Sequence, residues 1–171
     1  TASGFNAQGL ANRGWTHFKA SASQGFVSVS AGYQRSFSCF DFIPQNLSNT
    51  LWAFATRCIP HGPLCDAISS AAIRRMSSFD LQDLAITSWS CATLNFTNPP
   101  LMSAIAEAAR ARIHQFHTQG LANTSWSYST LSFPNNPLRT AIASPSRAKL
   151  SEFMPLEMVN LVWAVAKYAV V

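Results

Sequence analysis

The sequence predicts an all-α fold, an α-solenoid of stacked antiparallel helix pairs, and three observations carry that expectation. Five tryptophans, Trp15, Trp52, Trp89, Trp126 and Trp163, are separated by 37 residues at every step. The same offset superimposes many further columns, which is the signature of a repeat architecture. Within each unit the apolar residues recur at three- and four-residue spacings, the period of a helix with one buried face.

Each unit opens on an aromatic residue, at Phe5, Phe42, Phe79, Phe116 and Phe153. Gln8, Gln45, Gln82 and Gln119 follow three residues later, with Leu156 departing from the column. Next come Leu10, Leu47, Leu84, Leu121 and Met158, then Asn12, Asn49, Asn123 and Asn160, with Ile86 in the third unit, and then the tryptophan. In the second unit this stretch predicts a first helix over residues 44–56, with Leu47, Leu51, Phe54 and Ala55 facing inward. Pro44 suits its first turn, where a missing N–H costs nothing. Residues 59–62 include Pro60 and Gly62 and read as a connector.

A second helix is expected from Pro63 to about Met76, on the stripe Leu64, Ala67, Ile68, Ala71 and Ala72. The same positions carry Pro100 and Pro137, then Leu101 and Leu138, then Ile105 and Ile142 in later units. Small residues such as Ala71, Ala72, Ala108 and Ala109 admit close helix approach. The units are therefore 5–41, 42–78, 79–115 and 116–152, with a half unit over 153–171, in one segment spanning 1–171. Residues 26–40 lack the proline and alternate over FVSVS, yet their place in the repeat assigns them to a helix. One helix pair cannot bury its own apolar face, so each unit must stack on the next. The apolar end at Tyr168, Ala169, Val170 and Val171 carries the expectation that further repeats follow or that another subunit covers it.

Charged residues make up only 11% of the chain, so its polar surface rests on hydroxyls and amides. Twelve Lys and Arg against seven Asp and Glu give a net charge of +5, a mild tilt toward a polyanionic partner. Cys39, Cys58, Cys65 and Cys91 form no CxxC pair and read as thiols of a reducing compartment. Cys58, His61 and Cys65 fall short of a four-ligand zinc set, and neither a metal nor a cofactor is expected. No run of 18 apolar residues is present, so no membrane-spanning helix is expected. GxSxG, HExxH, P-loop and GxGxxG motifs are absent, and the chain reads as a non-enzyme.

The stretches PQNLSNTLWAFAT and TQGLANTSWSYST resemble the first helix of octotricopeptide repeats, whose pattern is close to P-Q-x-L-A-N-x-x-W-A-x-A. The resemblance covers nearly the whole chain. It implies an α-solenoid that binds single-stranded RNA in an organelle, the chloroplast before the mitochondrion, to stabilise, process or translate a transcript. Ile86 and Leu156 depart from the pattern and mark a divergent branch. The alternative is a non-catalytic scaffold subunit of a large organellar complex such as a ribosome or a photosynthetic or respiratory assembly.

Three sets of residues are candidates for function. The tryptophans read first as inter-repeat core, with base stacking as the competing role. Asn12, Asn49, Asn123 and Asn160, one turn earlier, either form a hydrogen-bond ladder between units or read base edges. Arg35, Arg74, Arg75, Arg110, Arg112, Arg147 and Lys149 fall in adjacent columns late in the second helix. They either line a phosphate-tracking stripe or complement the helix dipole. Two variable columns of the first helix, Asn46, Asp83, Gly120 and Glu157 and then His17, Phe54, Cys91 and Tyr128, are weaker candidates for specific contacts.

Overall fold

A computed structural model describes residues 42–169 of the chain, and these are all-helical, with no strand among the described residues. The unit at 5–41, with Asn12, Trp15, His17 and Arg35, lies outside the described residues.

Four first helices, α1 (Pro44–Thr56), α3 (Leu81–Thr93), α5 (Thr118–Thr130) and α7 (Pro155–Ala169), start at the interval that separates the tryptophans. Three second helices alternate with them: α2 (Gly62–Arg74), α4 (Pro99–Ala111) and α6 (Asn136–Ala148). Each first helix packs on the next first helix, α1 on α3, α3 on α5 and α5 on α7. The second helices touch in the same succession, and each also touches the first helix that precedes it.

Recurrent local chemistry sets the ends of these helices. At the start of each second helix a side chain accepts a hydrogen bond from a leucine N–H: His61 Nδ1 from Leu64 at 3.1 Å, Asn98 Oδ1 from Leu101 at 3.0 Å and Asn135 Oδ1 from Leu138 at 3.0 Å. Capping of this kind satisfies one of the four orphan donors of a helix start. Three of the four first helices, α1, α3 and α5, end in a left-handed residue at equivalent places, Cys58 (φ 51), Asn95 (φ 50) and Ser132 (φ 51). The following amide then reaches back, Phe133 N–H to Tyr128 O at 3.0 Å and Phe96 N–H to Cys91 O at 2.9 Å. Such a Schellman turn brings together the side chains at its two ends, and the Phe133 ring meets Tyr128 edge-on with centroids 5.9 Å apart.

None of these turn residues is glycine, and a side chain with a Cβ is strained in that conformation, least so for Asn. Cys58→Gly and Ser132→Gly are therefore expected to stabilise the fold by about 0.5 kcal/mol each, after the entropy that glycine adds to the unfolded chain. Asn95→Gly should give no gain. Chemical denaturation of the three variants checks the ranking, and equal shifts at all three sites would contradict it.

The core is built by the opening aromatics and the second-helix stripe. Phe42, Phe79 and Phe116 are fully buried, together with Leu47, Leu84, Leu121, Ile68, Leu101 and Ile105. Ala71, Ala72 and Ala109 on the second helices are buried, while Ala108 is half-buried. Between the first helices the packing face is lined by hydroxyls as much as by alkyl groups. Ser48, Thr87, Ser88, Ser90, Thr124, Ser127 and Ser129 are buried there, and several bond a carbonyl one turn back, Ser129 Oγ to Ser125 O at 2.9 Å among them. Ser129 also reaches across to Ala164 O at 3.2 Å, tying α5 to α7.

A buried carboxylate joins α1 to α3. Asp83 closes a capping box with Asp80, and Ser48 Oγ donates to its Oδ1 at 2.6 Å. Burial pushes the Asp83 carboxyl above its ordinary range, against the lowering effect of the Ser48 hydrogen bond. The folded chain therefore holds this proton to higher pH than the unfolded chain does. Stability from this group is fully present below the unfolded pKa of about 3.9 and is lost as pH rises through the folded one. Asp83→Asn is expected to remove that part of the pH dependence; its one amide oxygen can still accept from Ser48, while the NH2 loses the acceptor for the Asp80 N–H. Unfolding midpoints measured across the acid range test this, and a wild-type slope in the variant would contradict it.

Candidate functional site

The four first helices bound a groove of roughly 570 Å³ that crosses all of them. Trp52 comes from α1, Gln82, Ile86 and Trp89 from α3, Gln119 and Asn123 from α5, and Leu156 and Asn160 from α7. Three of the repeat's columns, Gln, Asn and Trp, thus meet on one surface. Spacing within a helix explains why. At about 100° per residue, Leu47, Leu51, Phe54 and Ala55 take the inner face and Trp52 falls well over a quarter-turn outside its centre.

The described tryptophans are less enclosed than a core position would make them. Trp52, Trp89 and Trp126 are half-buried, and Trp163 is 43% exposed. Tryptophan is too large to be fully enclosed where the first helices meet through Ser, Thr and Ala, and the deep aromatic position goes to Phe42, Phe79 and Phe116 instead. At the far end Trp126 and Trp163 lie 6.5 Å apart, and the Lys167 ammonium sits 5.2 Å from the Trp163 ring centre.

The asparagine ladder is likewise absent among the described residues. Asn49 is exposed and Asn123 and Asn160 are half-buried, and no side-chain hydrogen bond holds any of the three amides. Their donors and acceptors face the groove or solvent rather than each other. Gln82 and Gln119, exposed and also without a hydrogen-bond partner, join Asn123 and Asn160 in lining it. Sequence reasoning recorded the glutamine column but missed its place in the site. The available signal was that a polar amide recurring one turn before the Asn must share its helix face.

The basic residues divide into two groups. Arg112 and Lys149 are half-buried and structural: Arg112 Nη2 donates to Phe79 O at 2.9 Å and Lys149 Nζ to Phe116 O at 2.5 Å. Each therefore ties the end of a second helix to the aromatic that opens the same unit, and neither is a free phosphate contact. Arg75 holds the corresponding position after α2 and is half-buried. Arg74, Arg110 and Arg147 are exposed and lie in the last turns of α2, α4 and α6, where a cation also complements the helix dipole. Arg110 pairs with Glu107 at 2.7 Å, an exposed ion pair that contributes little to stability.

Among the described residues, most members of the variable columns serve the fold. Asn46 and Asp83 are buried at the starts of their helices, and a Cβ on Gly120 would meet Phe116 Cδ1 at 2.8 Å. Phe54, Cys91 and Tyr128 are core, with Tyr128 Oη donating to Met102 O at 2.6 Å. Burial pushes the Cys91 thiol up to about 12 and raises that of Cys65. In the Cys58, His61 and Cys65 stretch, the imidazole serves as a helix cap, Cys65 is buried and Cys58 is exposed. No helix among the described residues is long and apolar enough to cross a membrane.

A family model described as RNA-editing substrate-binding complex 6 protein covers residues 35–171, a stretch that includes every described helix. No curated protein matches the chain.

Proposed function

The chain belongs to the RNA-editing substrate-binding complex 6 protein family, and on that premise we propose that it is a non-catalytic scaffold subunit of an organellar RNA-editing assembly. The observation that carries the reading is the extent of the family match, which runs through all four first helices and the groove they form. We read the helix pairs as an α-solenoid of 37-residue units, one continuous segment with an octotricopeptide-like first helix. Supporting this are the equal intervals between helix starts and the succession of contacts along each layer. Solenoids of this kind offer extended surfaces on which other subunits assemble. Of the two organelles implied by the resemblance, the family favours the mitochondrion over the chloroplast.

Direct binding of single-stranded RNA is the second reading. It is favoured by one observation: Arg74, Arg110 and Arg147 are exposed at the ends of three second helices that touch in succession. Titration of the whole chain with mixed-sequence RNA at several salt concentrations separates the two. The scaffold reading expects only salt-labile, non-specific binding, with dissociation constants of roughly 10⁻⁴–10⁻⁶ M. Affinity tighter than about 10⁻⁷ M, lost in the triple variant Arg74→Gln, Arg110→Gln, Arg147→Gln, would replace it with the RNA-binding reading.

A further inference from the structure

We propose that the groove across the first helices binds an extended, uncharged peptide segment of a partner protein, gripping its main chain with the Gln82, Gln119, Asn123 and Asn160 amides. The inference deepens the scaffold reading by giving the partner's chemistry, and three observations support it.

The first is the state of the amides. Each carboxamide offers donors and an acceptor, the complement of a peptide N–H and C=O, and none of the four is engaged by another described residue. Two unpaired amides on α5, with one on each flanking helix, place such groups at successive steps along the groove.

The second is charge. Among the described residues no Lys, Arg, Asp or Glu lines the groove, whose lining includes one imidazole, that of His117. A nucleic-acid strand brings one negative charge per nucleotide and needs cations along its track. The exposed arginines instead lie at the ends of the second helices, in the other layer. A neutral main chain needs no counter-charge.

The third is shape. Half-buried Trp52 and Trp89 line the groove together with Ile86 and Leu156, apolar surfaces for the side chains that alternate along an extended strand. Helix axes packed at about 8–10 Å put three intervals, or some 24–30 Å, between α1 and α7. An extended segment of about 7–9 residues spans that distance.

The test uses the whole chain and a displayed library of random, unstructured 12-residue peptides, followed by synthesis of the strongest selected peptide. The expected results are selection of sequences poor in charge and binding that changes little with salt. A loss of at least tenfold is also expected in the double variant Asn123→Ala, Asn160→Ala, whose replaced amides hold no contact that the fold needs. N-methylation of alternate amides of the selected peptide should abolish binding, because it removes main-chain donors and leaves every side chain in place. Failure to enrich any peptide would overturn the proposal, as would undiminished binding by the double variant or by the N-methylated peptide. Displacement of the peptide from the groove by a 12-nucleotide mixed RNA, with steep salt dependence, would also overturn it by assigning the surface to nucleic acid. Failure of this groove and failure of the scaffold reading are distinguishable, because retention of subunits by the native protein after ribonuclease digestion reads all subunit contacts and not this groove alone.

Discussion

Phe116→Ala is expected to cost about 3–5 kcal/mol of stability, the range for emptying a fully enclosed aromatic site. Phe116 is completely buried, its ring lies against the Gly120 backbone, and its carbonyl receives the Lys149 ammonium. Deleting the ring leaves a cavity at the junction of two units. Phe116→Leu keeps most of the volume and should cost less than about 1.5 kcal/mol. Urea unfolding of both variants measures the difference. A cost for the alanine variant as small as that for Trp126→Ala would contradict the assignment of the deep position to phenylalanine rather than tryptophan.

The second large effect is expected at two cations that sequence alone places with their neighbours. Arg112→Ala and Lys149→Ala should each lose about 1.5–3 kcal/mol, the usual worth of a hydrogen bond to a charged group. Each change strips a charged donor from the carbonyl of a buried aromatic. Arg110→Ala, two residues from Arg112, removes only an exposed ion pair and should stay within about 0.5 kcal/mol. Thermal unfolding of the three single variants is the check. Equal tolerance at 110 and 112 would return Arg112 to the set of free surface charges.

Much of the fold is legible in the residues because its signals are local and repeated. Pro44, the inward leucines and the connector at Pro60 delimit a first helix over 44–56, and the structure places it at Pro44–Thr56. The second-helix stripe through Leu64, Ile68, Ala71 and Ala72 is buried as its spacing requires. The turns were harder to anticipate, because Cys58, Asn95 and Ser132 take a conformation usually signalled by glycine. His61, Asn98 and Asn135 cap helices through a shared role that their differing side chains conceal.

The candidate site was legible only as columns. The recurrence of Asn123, Asn160, Trp52 and Trp89 does not by itself say which face is covered, and size draws tryptophan to the interior although its helical angle from Leu47, Leu51 and Phe54 places it at the margin. Ser, Thr and Ala instead form the contact between first helices, so hydrophobicity does not mark that face and the tryptophans are left at its margin. For the same reason the basic columns looked uniform. Their division depends on Phe79 O and Phe116 O, carbonyls 33 residues away along the chain that only the folded unit brings within reach.

The scaffold account is tested most directly by purifying the native protein with its associated subunits and treating the assembly with ribonuclease. The account predicts that the same protein subunits remain bound after the RNA is digested, because protein surfaces hold them. Release of those subunits, leaving the chain alone once its RNA is gone, would contradict it.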